Sequence, residues 1–153
     1  MSKIKKKSLP TGMSLLTISL FIITVSFFSY WGYQWVVYLL GKYFQVTTNS
    51  TFFDLIAGLV SMIAAVLVFI GGVKVWNLKE SSLKFIAIGS IGFIIKDILN
   101  MINVIYTLNL KGVLVLQDIK GAAWDIGWIF VYIAFWVVIL IYFNKESFKK
   151  TLE

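Results

Sequence analysis

At 153 residues, with 59% hydrophobic side chains and a mean hydropathy of +0.89, the chain is too apolar for a soluble domain of its size, so we expect lipid to be its solvent. The net charge is +7, but the 14 basic residues are all lysines, and without arginine for bidentate contacts to phosphate we expect no nucleic-acid partner. The sequence contains no cysteine and no histidine, which excludes disulfides, thiol nucleophiles and the usual zinc sites and removes the commonest general base, so we expect no enzyme activity, cofactor or metal site.

Residues 1–12 form a basic segment, with four lysines before the first apolar run. A signal peptide begins in the same way. However, the apolar run covers residues 13–40, far longer than an h-region of about 7–15 residues, and no A-x-A-like cleavage site interrupts it. We therefore predict a retained transmembrane helix over residues 13–40 rather than a cleaved signal. We interpret the lysines as a topology signal rather than a site for anionic lipid headgroups.

The predicted first helix carries two groups of side chains that suggest different contacts. Ser19, Ser26 and Ser29 lie near one face, where small residues favour close helix packing. The C-terminal part is rich in aromatic residues, which favours a position at the membrane–water boundary over an aromatic-lined binding surface. These aromatic residues are Tyr30, Trp31, Tyr33, Trp35 and Tyr38.

The second helix is predicted over residues 54–76, after a short polar connection. Thr51 and Asp54 have the spacing of a capping box, and an acidic residue in the first turn complements the helix dipole, so we predict a structural rather than a catalytic role for Asp54. Small residues recur on one stripe of this helix and again on the third helix, which favours helix–helix contact rather than a binding site. The predicted packing residues are Gly58, Ser61, Ala65, Gly72, Gly89 and Gly92.

The third predicted helix, residues 83–106, carries ionisable groups at the middle of a membrane-length apolar run. Lys96 and Asp97 lie at its centre, and Asn100 and Asn103 follow within two turns. Charged groups at this depth require a partner or water, so we expect them either to fix contacts with other helices or to line a wet cavity. Because adjacent residues on a helix point about 100° apart, we do not expect Lys96 and Asp97 to pair with each other.

Residues 107–120 separate the third and fourth helices in this prediction. Their apolar run, residues 113–116, is too short to span a membrane and is typical of a surface strand, an interfacial segment or a re-entrant piece. The fourth helix is predicted over residues 122–143, with Asp125 near its start and a polar cytoplasmic tail, 144–153, after it. An aromatic ridge at helical spacing favours packing or a membrane-boundary belt over a ligand site. The ridge consists of Trp124, Trp128, Tyr132 and Phe135.

The distribution of lysines predicts the orientation of the chain. With both termini cytoplasmic, ten lysines lie in the inner segments and three in the outer loops, and Lys96 lies within the membrane. The sequence thus predicts an all-α, integral membrane four-helix bundle of the cell membrane, with its transmembrane domain over residues 13–143. In the outer half we predict a cluster of polar side chains. The cluster comprises Lys96, Asp97, Asn100, Asn103, Asp125 and Gln34.

Two classes of function fit these features. The first is a non-catalytic accessory, assembly or protective subunit that acts through helix–helix contacts with another membrane protein. The small size, the packing stripes and the aromatic ridge favour this class, and the sequence alone leads us to prefer it. The second is a small oligomeric transporter or channel that uses the polar cluster around Lys96 and Asp97. The expected partners are the lipid bilayer, together with either a membrane protein or further copies of the chain.

Overall fold

The structure is a computed structural model that describes residues 11–44, 52–110, 116–145 and 148, and the regular structure in these ranges is α-helical. Four helices follow one another, each with a stretch long and apolar enough to cross a membrane. The prediction of an all-α chain with four membrane-length helices is confirmed for the described residues. The helices are α1 (Thr11–Tyr43), α2 (Phe52–Trp76), α3 (Ser82–Leu110) and α4 (Leu116–Asn144).

The connection between α3 and α4 is shorter than the sequence predicted. Residues 107–110 and 116–120, which the sequence placed in the connection, are helical. The apolar run 113–116, interpreted as a strand, interfacial or re-entrant segment, lies outside the described residues except for its last residue, which is helical. No glycine or proline interrupts residues 107–110, so α3 continues. Residues 111–115 lie outside the described residues, as does Thr51 of the predicted capping box.

Consecutive helices pack side by side, α1 on α2, α2 on α3 and α3 on α4. The closest approach is between α2 and α3, where Gly89 faces Ala64 and Val68. A Cβ atom added at Gly89 would lie 2.5 Å from Val68 Cγ2 and 2.9 Å from the Ala64 carbonyl oxygen. The two backbones therefore approach so closely that only hydrogen fits between them at this position.

The other predicted packing residues also lie in contacts between helices. Gly58 faces the ring of Trp31, and Gly72 faces the ring of Phe21, both on α1. Gly92 faces Ala64 across the α2–α3 contact. In addition, Ser61 and Ala65 of α2 are completely buried. The small-residue stripe of α2 thus faces its neighbours rather than the surroundings.

The prediction that a serine face packs α1 against its neighbours is wrong, because Ser19, Ser26 and Ser29 are exposed. The buried stripe of α1 instead contains two threonines, Thr17 and Thr24. Each hydroxyl donates a hydrogen bond to the carbonyl oxygen four residues earlier, over 2.8 Å and 2.6 Å, so the polar group is satisfied within its own helix.

Three aromatic rings connect α1, α3 and α4 near the middle of the bundle. Phe93 of α3 stacks on Trp136 of α4, with ring centroids 4.2 Å apart and planes 5° from parallel. Phe27 of α1 contacts the same phenylalanine at 5.1 Å. Phe93 and Trp136 are fully buried, and Phe93 lies one turn before Lys96 on the same face of α3. The rings therefore form an apolar layer directly beneath the polar residues of α3.

Candidate functional site

A cavity of about 450 Å³ lies at the end of the bundle where α1 and α3 finish and α2 and α4 begin. We call it the polar cavity. Its volume falls within the range of about 300–1,000 Å³ that is usual for small-molecule sites. All four helices contribute to its lining, which consists of Phe27, Tyr30, Trp31, Asp54, Lys96, Asp97, Asn100, Asn103, Val104, Asp125, Trp128, Ile129 and Tyr132.

The structure brings most of the predicted polar cluster to this one cavity. The cluster residues in the lining are Lys96, Asp97, Asn100, Asn103 and Asp125, and only Gln34, which is partly buried, lies outside it. Of the predicted aromatic ridge, Trp128 and Tyr132 line the cavity as well, whereas Trp124 and Phe135 are exposed elsewhere on α4. The assignment of these residues to a functional site stays a prediction.

Lys96 and Asp97 form an ion pair with each other, although the sequence argument expected them to face different neighbours. That expectation is wrong because it considered only the directions of the Cα–Cβ bonds. The four-carbon stem of the lysine is long enough to curve round the helix to the next side chain. Both residues are buried, with exposed fractions of 4% and 0%. In such a place, removal of one partner leaves an uncompensated charge.

The Lys96 ammonium also lies against two aromatic rings. Its Nζ is 5.0 Å from the ring centroid of Phe27 on α1 and 5.7 Å from that of Tyr132 on α4. Both distances fall within the limit of about 6 Å for a cation–π interaction, which contributes about 0.5–2 kcal/mol depending on desolvation. The ammonium is thus held by a carboxylate on its own helix and by rings from the two flanking helices.

One oxygen of the Asp97 carboxylate remains without a donor. The ion pair involves Oδ1, whereas Oδ2 accepts no hydrogen bond from any group that the structure describes. Buried polar atoms are usually satisfied, and an unsatisfied one costs free energy. Asp97 lines the cavity, and its Oδ2 atom can therefore still accept a hydrogen bond or pair with a cation.

Asp54 joins the cavity through a direct hydrogen bond that the sequence argument missed. The side-chain amide of Asn103 donates to Asp54 Oδ1 over 2.7 Å, which ties α3 to the first turn of α2. The order and direction of the helices could have predicted this pair. Because consecutive helices run in opposite directions, the start of α2 lies beside the end of α3, where Asn103 is found.

The lining contains more acidic than basic side chains. Asp54, Asp97 and Asp125 supply three carboxylates against the single ammonium of Lys96, which leaves a formal excess of two negative charges when all are ionised. Tyr30 of α1 and the aromatic residues of α4 form the walls around them. In the part of the chain that the structure describes, no group of three acidic side chains is close enough to hold a metal ion.

The arrangement presents groups that can bind a ligand. It offers carboxylates, amides and aromatic faces, but no histidine or cysteine, because the chain has neither. Comparison of the chain with protein-family models, with curated proteins and with solved structures finds no match. The function must therefore be argued from the cavity itself.

Proposed function

We propose that the chain is a multi-pass protein of the cell membrane with both termini in the cytoplasm. The four apolar helices and the ten-to-three distribution of lysines support this orientation. The cavity end of the bundle then faces outward, because α1 ends there and α2 begins there.

The absence of cysteine allows a direct test of this orientation. Lys42→Cys, at the end of α1, and Ser81→Cys, in the turn before α3, each place a single thiol at an exposed position. A membrane-impermeant thiol reagent applied to intact cells should label Lys42→Cys and should label Ser81→Cys only after permeabilisation. The opposite pattern would reverse the proposed orientation, and labelling of both in intact cells would contradict a membrane-spanning bundle.

We further propose that the polar cavity binds a small polar solute and that the protein is a small transporter or channel. The observation that carries this proposal is the convergence of ionisable and amide side chains from three helices on one space of about 450 Å³. Intramembrane charges of this kind typically mark a solute or ion pathway. Lys96 and Asp97 are buried, yet both belong to the lining of this volume, and Asp97 Oδ2 accepts no hydrogen bond from the described residues.

Reconstitution of the purified protein into liposomes tests the transport proposal. Uptake assays with radiolabelled glycerol, glycine, acetate and choline, with potassium and valinomycin present to balance any charge moved, cover neutral, zwitterionic, anionic and cationic solutes. Asn100→Trp fills the cavity, and Ile98→Trp places the same side chain on the exposed face of α3 as a matched control. We expect faster entry of at least one solute, lost in Asn100→Trp and kept in Ile98→Trp. Failure of every solute, or equal behaviour of the two variants, would contradict the proposal.

A second candidate function is the accessory, assembly or protective subunit that the sequence favoured. The supporting observation is the exposure of the aromatic ridge on α4, whose helix packs on α3 and leaves Trp124 68% exposed. Purification in mild detergent, followed by native mass determination, tests it. A larger membrane protein in fixed ratio, lost with Trp124→Ala and kept with Val138→Ala elsewhere on the exposed surface of α4, would support this role. A lone or self-associated chain would contradict it.

A further inference from the structure

We propose that the solute of the polar cavity is a small organic cation, an amine or a quaternary ammonium ion, and that Lys96 is a tethered cation which occupies its site in the empty protein. This inference rests on the proposed transport function and names the class of its substrate. Three features of the cavity carry it: the surroundings of the Lys96 ammonium, the balance of charge, and the unused oxygen of Asp97.

The first feature is that the chain already places an alkylammonium group in the cavity. The Lys96 ammonium pairs with the Asp97 carboxylate and lies 5.0 Å from the Phe27 ring and 5.7 Å from the Tyr132 ring. A carboxylate with aromatic faces is the combination by which proteins recognise ammonium ligands. The position of the lysine head therefore marks where the ammonium group of a free ligand would bind.

The second feature is the balance of charge. The lining contains three carboxylates, those of Asp54, Asp97 and Asp125, and one ammonium group, that of Lys96. Carboxylates in a space walled by low-dielectric aromatic groups concentrate cations and repel anions. The lining therefore favours a cationic solute over an anionic one.

The third feature is the capacity of Asp97 for a second partner. Its Oδ2 atom accepts no hydrogen bond from the described residues, while the carboxylate lines the cavity. Asp97 therefore has an acceptor left for an incoming ammonium group, which reaches this buried atom as the lysine head moves aside. Lysine has a flexible stem, and Asp125 lines the same cavity, so the displaced head has a second carboxylate toward which to turn. Binding thus proceeds as an exchange of one cation for another.

This exchange predicts that removal of the lysine strengthens binding. The test is calorimetric titration of the full chain in detergent with tetramethylammonium chloride, with sodium acetate and glycerol as anionic and neutral probes. We expect Lys96→Met to bind tetramethylammonium about tenfold more tightly than the native chain, because a competing occupant lowers apparent affinity by the fraction of free sites. Asp97→Asn should abolish binding. Unchanged or weaker cation binding in a folded Lys96→Met protein would overturn the inference.

A second pair of variants keeps the inference testable if changes at the ion pair prevent folding. Tyr132→Leu removes one ring from the site, and Phe130→Leu removes an exposed ring from the same helix as the matched control. We expect tetramethylammonium to bind about 3- to 30-fold more weakly to Tyr132→Leu, in proportion to one lost cation–π contact, and unchanged to Phe130→Leu. Equal affinities in the two variants would overturn the cation site.

The outcomes also separate this inference from the transport proposal beneath it. If acetate or glycerol enters liposomes in a manner that Asn100→Trp blocks, while tetramethylammonium neither binds nor competes, the cavity transports a different class of solute and the cation inference is wrong. If no solute enters and no probe binds, both are wrong. Binding of tetramethylammonium that Lys96→Met strengthens, with choline entry that Asn100→Trp blocks, supports both.

Discussion

Substitution of Gly89 by alanine should loosen the contact between α2 and α3. The new Cβ atom would lie 2.5 Å from Val68 Cγ2 and also 2.9 Å from the Ala64 carbonyl oxygen and 3.0 Å from the Val68 amide nitrogen. A side-chain methyl group can rotate away, but backbone atoms move only if the helices separate. Overpacking of this kind costs about 1–3 kcal/mol, while the change from glycine to alanine within a helix contributes about 0.5–1 kcal/mol in the other direction. We therefore expect Gly89→Ala to lower the free energy of unfolding by up to about 2.5 kcal/mol.

Gly127→Ala in α4 is the matched control, because nothing lies within 4 Å of its added Cβ atom. At this position only the higher helix propensity of alanine acts, so the free energy of unfolding of this variant should rise by about 0.5–1 kcal/mol. Unfolding by sodium dodecyl sulfate in dodecylmaltoside micelles, followed through the fluorescence of the six tryptophans, measures both free energies. The packing argument would be refuted if Gly89→Ala were as stable as Gly127→Ala.

Three further predictions use the same unfolding assay. Asn103→Leu removes the donor to Asp54 and should lower the free energy of unfolding by about 1–2 kcal/mol; an unchanged value would show that the bond contributes nothing. Lys96→Met alone should cost about 3–5 kcal/mol by stranding a buried carboxylate, whereas adding Asp97→Leu should restore most of the loss; additive effects would contradict the ion pair. Trp136→Ala removes the stack on Phe93 and should cost about 3–5 kcal/mol, so a loss below 1 kcal/mol would contradict the tight aromatic layer.

The four helices follow from the sequence because each is a long apolar run, and length and composition decide the element when lipid is the expected solvent. The ends of the helices do not follow from the apolar runs alone. Residues 107–110 and 116–120 contain polar side chains, which we interpreted as a connection, but nothing in them breaks a helix. Polarity indicates where a helix leaves the apolar core, whereas glycine and proline indicate where it ends.

The packing face of α1 shows why polarity is a weak guide in an apolar helix. The exposed serines and the buried threonines have similar polarity, and every hydroxyl can bond to its own helix, as Ser19 does through Leu15 and Thr17 through Met13. Such a residue has no need of a partner on another helix. The buried face of α1 is determined instead by the shapes of the neighbouring helices. On α2 these include the glycines against which the aromatic rings of α1 pack.

The polar residues of the cavity were predictable as a group because buried charges in apolar helices require partners. Their individual contacts were not. The pairing of Lys96 with Asp97 depends on the path of a flexible stem, and the pairing of Asn103 with Asp54 depends on the relative offset of α2 and α3. Both are properties of three-dimensional packing that spacing along one helix does not contain.

The central claim, that the polar cavity is open to water within a membrane-spanning bundle, is tested most directly by thiol accessibility. Asn100→Cys places a thiol in the cavity, and Ile98→Cys places one two residues away on the exposed face of α3. In membranes treated with a small water-soluble thiol reagent, we predict that Asn100→Cys reacts readily and Ile98→Cys does not, because lipid covers the second position. An unreactive Asn100→Cys in the folded protein, or equal reaction of the two thiols, would contradict the account.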